Sequence, residues 1–503
     1  MNKASLRTIL SIFLAILLFI AEAIAFLTIK KLNMFPDIYL IAAAVVLMLG
    51  WLLCALLLLL PSKGKRNIRK VIALVLTVSI IAGCAVVTNV VGKLYNTMHS
   101  ITKPNTTTVS ISVYVMANDP AQTIQDASGY SFGISYTAES DFLSQALDRI
   151  NKELGQVETI IYSSVPEMVN ALYSGEVKAI IMDSAYVSLL EDFEMYADFE
   201  VKTKLIYEIT IEQLLTEPSL PETSIPDDDI QNDPEMKPFV VYLSGSDTRN
   251  PTLTRSRSDV NIVIVVNPET KQILMVNTPR DYYVANPAGK GALDKLTHCG
   301  IYGIDCSVNA LSDLYDVDID YYAQINFYGF QTLIDSIGGI SVYNDVAFNA
   351  HTAPYHFPAG LLELDGSHAL AFARQRYGLP GGDNARGKNQ MKVISAVIEK
   401  LTSGATIISN YSDILNSLTG MFQSDFSMDH ISDLVKMQLT DMATWNIQSF
   451  AVTGSGSSKI TYSMPGQYVY VMIPNEKTVA HATNLIDRVI AGETLTANDM
   501  TVN

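Results

Sequence analysis

The chain is poor in the residues on which several common chemistries depend. Of its 503 residues only four are cysteines, seven are histidines and two are tryptophans. The cysteines lack the C-x-x-C spacing of structural zinc sites, and the histidines lack the H-E-x-x-H spacing of zinc proteases. A Walker A phosphate loop and a G-x-S-x-G nucleophile elbow are also missing. We therefore interpret His298, His351 and His356 as structural or loop histidines.

Basic residues are scarce as well. Lysine and arginine total 34 against 51 aspartates and glutamates, a net charge of −17, which argues against a nucleic-acid partner. The bases are unevenly placed, because residues 1–103 hold eleven basic and two acidic side chains. This front therefore carries +9 and the remainder −26. A basic, apolar front followed by an acidic body is typical of a membrane-anchored protein and argues against a soluble cytoplasmic enzyme.

Long apolar runs are concentrated at this front. Residues 9–29, 38–60 and 71–91 each approach the about 20 residues that a helix needs to cross the hydrocarbon of a bilayer. Glu22 is the one charge within them. A cleaved signal peptide is an alternative for the first run alone. We predict that residues 1–103 form a membrane anchor with three transmembrane helices.

The bases also predict an orientation for this anchor. Lys3 and Arg7 precede the first run, and residues 63–70 between the second and third runs hold five bases. The positive-inside rule then places the N-terminus in the cytoplasm and everything after about residue 92 outside a cell membrane that the chain crosses several times. A disulfide between Cys299 and Cys306 is permitted there, and the spacing leaves open whether it forms.

The extracytoplasmic part divides at an acidic, proline-rich linker, residues 217–237. Residues 104–216 are predicted to form a small α/β accessory domain, in which Tyr162–Asp183 resembles a lobe of periplasmic solute-binding proteins. Residues 238–503 are predicted to form a larger α/β domain. Periodicity predicts strands at 109–116, 158–162, 178–182, 239–243, 260–266 and 272–277 and helices at 140–154, 166–173, 327–337, 366–373 and 388–401.

Arginines of the acidic body cluster beside carboxylates at the ends of predicted elements. Five short motifs have this form: Gly245–Arg249, Arg255–Asp259, Thr278–Asp281, Ala373–Arg376 and Gly382–Arg386. Arg374 and Arg376 would share one face if they lie on a strand, and two guanidinium forks on one face suit a pyrophosphate. A pair of surface salt bridges is the alternative, and the recurrence of the motif argues against it.

Two of the carboxylates suggest a metal. Asp247 and Asp259 are predicted at adjacent strand ends, where ligands bind in covered sheets. Their hard oxygens suit Mg²⁺ or Mn²⁺. Carboxylates alone would repel the anion that the arginines attract, so a diphosphate bridged by a metal explains both groups together.

In their order and combination these motifs resemble the catalytic domain of the LytR-CpsA-Psr family of cell-wall glycopolymer ligases. The resemblance runs from about Val240 to Leu401 and adds Asn326–Phe330, Ile337–Ile340, Leu364–Arg376 and Gln390 to the motifs above. It implies an α/β fold with a central mixed sheet covered by helices. The three spans and the accessory domain resemble the capsule-type branch of the family.

The resemblance also implies an activity. Such an enzyme takes a glycan, whether capsule, teichoic-acid-like or another wall polysaccharide, from a polyprenyl diphosphate. It joins the glycan to a peptidoglycan hydroxyl as a phosphodiester and releases a polyprenyl phosphate. The expected partners are therefore this donor, peptidoglycan and the membrane, with no nucleic acid, and the expected cofactor is Mg²⁺ or Mn²⁺.

Roles for individual residues follow from the resemblance. Asp247 and Asp259 match the metal-holding carboxylates. The positions that match diphosphate binders are Arg257, Arg280, Arg374, Arg376, Arg386 and Gln390, while Arg249 matches a frequent motif position. As a mechanism we expect Arg280 and the other arginines to neutralise charge on the leaving group, and Asp259 or Asp383 to take the acceptor proton.

Two features of the sequence qualify this assignment. Asn389 stands where family members often carry arginine, so Lys388 is a candidate to supply that charge. The prenyl tail needs an apolar groove, and at least half of its aromatic and apolar candidates are expected in ordinary core: Tyr321, Tyr322, Phe327, Phe330 and Leu333. Two other functions stay open, a polyprenyl diphosphate phosphohydrolase and a non-catalytic regulator that binds polyprenyl phosphates.

Overall fold

The computed structural model describes residues 3–60, 68–101, 106–135, 140–191, 193–214, 236–248, 251–379, 383–403, 414 and 418–502. The chain forms two compact units. The first unit comprises residues 1–103, 398–419 and 426–444, and the second comprises residues 104–397, 420–425 and 445–503. Most of the predicted linker 217–237 lies outside the described residues.

Three long helices make up most of the first unit: α1 (Lys3–Leu32), α2 (Asp37–Leu59) and α3 (Ile68–Ile101). Among the described residues, these three are long and apolar enough to cross a membrane, as the apolar runs predict. Side chains such as Leu27 and Val46 are 62% and 67% exposed. Exposure of this kind along whole helices is favourable in lipid rather than in water, so the three helices are suited by length and composition to anchor the chain in a membrane.

The first sheet of the second unit belongs to the predicted accessory domain and has five strands in the order β3-β2-β4-β1-β5. Its elements are β1 (Thr106–Met116), β2 (Ser131–Ser135), α4 (Ser140–Leu154), β3 (Glu158–Tyr162), α5 (Val165–Ser174), β4 (Ala179–Asp183), α6 (Ala185–Glu191), α7 (Phe199–Lys202) and β5 (Thr203–Leu214). Helix α4 has the predicted bounds because its apolar positions Phe142, Leu143, Ala146 and Ile150 recur on one face and are buried.

The second sheet of this unit has six strands in the order β16-β11-β6-β7-β8-β17. After residue 236 the chain forms, in order, β6 (Phe239–Ser246), β7 (Ser258–Asn267), β8 (Gln272–Asn277), β9 (Tyr283–Asn286), β10 (Ala292–Lys295), α8 (Leu296–Cys299), α9 (Ile304–Tyr315), β11 (Tyr321–Asn326), α10 (Phe327–Ser336), β12 (Ile340–Asn344), β13 (Phe348–Asn349), β14 (His356–Phe357), β15 (Gly360–Leu364), α11 (Gly366–Ala373), α12 (Asp383–Thr402), β16 (Phe422–Ser424), α13 (Met428–Asp441), β17 (Asn446–Ala451), β18 (Gly454–Ile460), β19 (Tyr468–Pro474) and α14 (Glu476–Ile490). Of these elements, α13 belongs to the first unit.

This six-stranded sheet is mixed. Strand β11 pairs in parallel with β6, and β17 in parallel with β8, while β6, β7 and β8 pair antiparallel. The central strands are almost wholly apolar, and Tyr242, Val263 and Leu274 are fully buried among side chains of α9 and α14. Strands covered on both faces need such continuous apolar runs. The predicted fold class, an α/β protein with a mixed sheet covered by helices, is confirmed.

The cysteines outside the anchor are buried free thiols in this structure. The Cys306 thiol donates to Asn286 Oδ1 at 3.3 Å. A hydrogen bond with Cys306 and burial together raise the pKa of the Cys299 thiol well above its ordinary value. A buried thiol with a raised pKa is a weak nucleophile at neutral pH, so Cys299 does not have the character of a catalytic cysteine.

Truncating the centre of this sheet tests the architecture. Leu274→Ala should lower the free energy of unfolding by about 2–5 kcal/mol, because it leaves a cavity at a fully buried position. The measurement is denaturant unfolding of the purified protein in detergent micelles. Leu361→Ala is the matched control, since Leu361 is 70% exposed and its loss should cost about 0.5 kcal/mol or less. Equal losses for the two variants would contradict this packing.

Candidate active site

Many of the predicted site residues lie at one edge of the six-stranded sheet, where several strands begin or end. Strands β6 and β11 are parallel and both end there, β7 begins there because it is antiparallel to β6, and β8 returns to the same edge. Asp247 therefore follows β6, Asp259 lies at the start of β7, and Arg280 follows β8. The topology brings together motifs that are more than 30 residues apart in sequence.

Two ion pairs form at this edge. Arg257 Nε and Nη2 each lie 2.8 Å from Asp247 Oδ2. Arg280 Nη1 lies 2.7 Å from Asp259 Oδ1. The four side chains are only 9–20% exposed. Charges so far removed from water are retained only when paired, so each carboxylate fixes the position of its arginine.

The pKa values of the two carboxylates are shifted in opposite directions. Burial raises the pKa of Asp259, but the nearby guanidinium groups of Arg280, Arg257 and Arg386 outweigh it and hold the pKa well below its ordinary value. For Asp247, burial and then the negative charge of Asp259 raise the pKa above its ordinary value. Asp259 is therefore ionised at neutral pH, and the two carboxylates are close enough to repel each other.

A cavity of about 290 Å³ opens in front of these ion pairs. One part of its wall is polar and is formed by Arg257, Asp259, Arg280, Asn326, Arg374, Arg376, Arg386 and Gln390. Another part is apolar and includes Phe327, Phe330, Leu370, Ala373 and Ile394. Five arginines against one lining aspartate make this cavity strongly positive within a net acidic chain, which suits a ligand that carries several negative charges.

Arg374 and Arg376 both line the cavity, and they follow a helix as predicted without forming the strand that would put them on one face. Helix α11 ends at Ala373, and Arg374 is its C-cap with helical backbone angles. Gln375 is buried, and its amide donates to the carbonyls of Asn349 and Tyr377. These bonds turn the chain after α11 instead of extending it. The Arg374 guanidinium lies 4.6 Å from the centre of the Phe327 ring.

Helix α12 supplies the buried residues Arg386 and Gln390 to the cavity wall. A glycine permits the close approach of this helix to β8. A Cβ atom at Gly387 would overlap the amide of Asn277. Position 387 therefore needs glycine for steric reasons, and the contact sets how far α12 reaches toward the ion pairs.

The remaining residues predicted for this site, Asn389, Lys388, Arg249 and Asp383, are not among the described residues of the cavity wall. The Asn389 amide donates to the Phe372 carbonyl at 3.3 Å, so it ties α12 to α11. Lys388 lines a separate groove with Phe450 and Met500, not the cavity, so the prediction that it replaces the missing arginine is wrong. Arg249 and the side chain of Asp383 lie outside the described residues.

Of the candidates for an apolar groove, Phe327 and Phe330 line the cavity. Tyr322 is 4% exposed and belongs to the domain core, and Tyr321 packs edge-on against Phe239. Leu333 is not among the lining residues described. Of the five candidates, Tyr322 is therefore shown in the domain core and two line the cavity.

His351, which the sequence analysis interprets as a structural or loop histidine, also lines the cavity. Its Nδ1 lies 3.1 Å from Gln375 Oε1, and its backbone N–H donates to the same oxygen. The loop that carries it is thus held by the glutamine between the two arginines. Nothing in the local spacing connects positions 351 and 375, so only the tertiary structure could identify this contact.

Asp247 and Asp259 suit a divalent cation by their chemistry. Both supply hard carboxylate oxygens, and the repulsion that raises the pKa of Asp247 is the condition that a bound cation relieves. Among the described residues no group of three or more histidine, cysteine, aspartate or glutamate side chains could hold a metal. A cation here would therefore need ligand oxygens in addition to the two aspartates.

Replacing one partner of an ion pair tests its electrostatics. A carboxyl with a lowered pKa stabilises the fold above its unfolded-state pKa of about 3.9 and loses that contribution as the pH falls through the folded-state pKa. In Arg280→Gln the pKa of Asp259 should rise, so melting temperature should fall less between pH 6 and pH 3 than in the wild type. Lys202→Gln, which breaks an exposed pair with Asp198, is the control and should follow the wild-type profile. Parallel profiles for all three proteins would contradict the assignment.

Comparison with known proteins gives consistent similarities. The chain is 36% identical over 200 residues to the polyisoprenyl-teichoic acid–peptidoglycan teichoic acid transferase TagU of Enterococcus faecalis, covering 39% of this chain and 65% of that protein. It is 35% identical over 201 residues to the Bacillus mycoides protein of the same name, covering 40% and 64%. The match thus spans less than two thirds of these relatives.

Among solved structures, B. subtilis TagU is 26% identical, covering 52% of this chain and all of that chain, with a TM-score of 0.40. The model of the LytR_cpsA_psr family matches residues 215–484, which is more than half of the chain. That match includes both ion pairs and every polar residue described above in the cavity wall. The chain therefore belongs to the LytR-CpsA-Psr family.

Proposed function

We propose that this protein transfers a glycopolymer from a polyprenyl diphosphate donor to a peptidoglycan hydroxyl. The observation that carries the proposal is the convergence of five arginines and Gln390 on one cavity that also has an apolar wall. The names of its relatives, which describe transfer of polyisoprenyl-linked teichoic acid to peptidoglycan, support the same class of reaction.

The two kinds of cavity wall match the two parts of such a donor. A diphosphate presents several oxygens, and planar guanidinium groups bind such oxygens bidentately. Arg257 and Arg280 are held in place before any ligand arrives, and Arg374, Arg376 and Arg386 complete the positive wall. Phe327, Phe330 and Ile394 offer the first isoprene units an apolar surface.

The reaction is a phosphoryl transfer. The acceptor oxygen forms a new bond to the phosphorus that bears the glycan, and the bridging P–O bond to the other phosphorus breaks. Polyprenyl phosphate leaves with the bridging oxygen, and the acceptor proton passes to a base. The arginines neutralise the charge that develops on the leaving phosphate, a stabilisation that is strongest when the groups are already positioned.

The same electrostatics argue against one of the two predicted proton acceptors. Asp259 is paired with Arg280 and its pKa is lowered, which makes it a poor base. Of the two predicted acceptors, Asp383 is therefore the better candidate, and Asp259 serves to hold Arg280 and a cation. Asp247 and Asp259 would hold Mg²⁺ or Mn²⁺. Such an ion, when bound, supplies positive charge to the diphosphate oxygens.

The place of the reaction follows from the anchor. With the N-terminus in the cytoplasm, three crossings put the catalytic domain on the outer side of the cell membrane, where lipid-linked donor and peptidoglycan meet. The three spans and the accessory domain support the proposal that the protein is of the capsule type, so a wall or capsule polysaccharide with a sugar phosphate linkage is the proposed cargo.

Removal of one arginine should weaken the reaction sharply. Arg374→Ala should lower kcat/KM for transfer by a factor that corresponds to about 2–5 kcal/mol, because the donor diphosphate loses a charged partner in a partly desolvated site. The assay is transfer from purified lipid-linked glycan to peptidoglycan in the presence of Mg²⁺. Arg488→Ala is the control, since Arg488 pairs with Glu493 and Asp499 on α14 and its following turn. An unchanged rate for Arg374→Ala would refute its role.

Two further arms of that assay separate the alternative functions. Without peptidoglycan, a transferase should leave the lipid-linked glycan largely intact, whereas a phosphohydrolase should release phosphate at a similar rate. With a chelator, transfer should fall if the cation is required. A protein that binds the donor but yields neither product would instead be a non-catalytic regulator.

A further inference from the structure

The segment formed by residues 296–303 lies directly behind the two ion pairs. Its first residues bond to the chain at Arg280, since the Thr297 N–H donates to the Arg280 carbonyl and the Leu296 N–H to the Tyr282 carbonyl, both at 2.8 Å. The Arg280 side chain leaves the same residue toward Asp259 on the cavity side. The position of this segment therefore bears on the position of the Arg280 guanidinium.

The same segment also packs closely against the main chain of residues 256–258. A Cβ atom at Gly300 would lie 2.6 Å from the Ser256 carbonyl oxygen, 2.8 Å from the Ser258 nitrogen and 3.2 Å from the Arg257 carbonyl carbon. Only glycine allows such a close approach of two backbones. Residues 296–303 thus contact the main chain at both arginines that are paired with the metal-type carboxylates.

The far end of the segment is buried in the accessory domain. Ile301 is 3% exposed and lies in an apolar cluster with Val165, Met168, Leu172, Tyr186 and Leu190 of that domain. The hydroxyl of Tyr302 lies 3.2 Å from that of Tyr186 on α6 and 3.0 Å from Ser463 Oγ. Ser463 in turn donates to Asp294, which is paired with His298 of the segment.

A second contact joins the accessory domain to the residues just before Arg257. The Arg255 N–H donates to the Thr108 carbonyl of β1 at 3.1 Å. Its guanidinium lies 5.2 Å from the centre of the Phe142 ring on α4. Arg255 is 8% exposed, so the accessory domain encloses it. The chain that carries Arg257 is therefore held on two sides by contacts that depend on the accessory domain.

We propose that the accessory domain positions Arg257 and Arg280 for diphosphate binding. It does so through residues 296–303, which contact the main chain at both arginines. In this arrangement Ile301 and Tyr302 are positioning residues for the two guanidinium groups. They lie outside the cavity wall and act through the backbone contacts of Thr297 and Gly300. The inference rests on the proposed function, since it needs a diphosphate as the ligand.

The test measures binding of geranylgeranyl diphosphate to the full chain in detergent micelles with Mg²⁺. Ile301→Ala should raise Kd at least fivefold, and Tyr302→Phe, which removes one hydroxyl, should raise it about threefold. Ile301→Val should restore Kd to within twofold of the wild type. Ile209→Ala is the matched control, because Ile209 is equally buried in a cluster of the accessory domain that contains no residue of the catalytic domain. Its Kd should stay within twofold at a similar loss of melting temperature.

A double-mutant cycle distinguishes positioning from general loss of structure. The effect of Ile301→Ala on Kd should shrink in an Arg257→Ala background and persist in an Arg376→Ala background. The segment contacts the main chain at Arg257 and Arg280, and the contacts described for it do not include Arg376. An undiminished effect in both backgrounds, or equal Kd values for Ile301→Ala and Ile209→Ala, would overturn the inference. If Ile301→Ala fails to fold, Tyr302→Phe in the same two backgrounds decides the question.

Arg374→Ala separates this inference from the proposed function. If the wild type binds the diphosphate and Arg374→Ala abolishes binding, while Ile301→Ala and Tyr302→Phe leave Kd unchanged, only the role of the accessory domain is refuted. If the wild type does not bind geranylgeranyl diphosphate, or Arg374→Ala has no effect on binding, the proposed function itself fails.

Discussion

The site depends on charge pairing out of water. Arg257 with Asp247 and Arg280 with Asp259 place four charges where they are at most 20% exposed, and each charge would be expensive to leave there alone. Pairing keeps the arginines charged and immobile in the absence of a ligand. An anion that enters the cavity then meets donors that are already oriented, so little reorganisation is needed when the ligand binds.

These pairs also explain why a sheet edge, rather than a loop, carries the site. The residues belong to motifs separated along the chain, and only the mixed order of β11, β6, β7 and β8 brings their ends to one edge. The strands are buried and nearly rigid, which limits how far the carboxylates can move. Apolar side chains of α10, α11 and α12 form another part of the cavity wall, so the anionic and the hydrocarbon parts of a lipid can be bound side by side.

Much of this arrangement could be predicted from local patterns. The helix 140–154 has the predicted bounds because amphipathic spacing is a local property, and β8 at 272–277 does too because its six residues form a short run bounded by polar turn residues. The convergence of the arginines was predictable from their repeated pairing with aspartates. The backbone at Arg374 and Arg376 was not predictable, because Gln375 donates to the carbonyl of Asn349, more than 20 positions away, in the turn after α11. Long-range hydrogen bonds of this kind leave no trace in spacing, and the same holds for His351 and for the groove that contains Lys388.

The glycine at 387 has a consequence that reaches beyond its own contact. Helix α12 carries Arg386 and Gln390 on the turns around this residue, and Asn277 at the end of β8 stands against it without room for a methyl group. A methyl group at this position would require the Asn277 amide to shift, and α12 would have to move if the amide did not. Arg386 and Gln390 lie on this stretch of the helix, so such a movement would displace two residues of the cavity wall together.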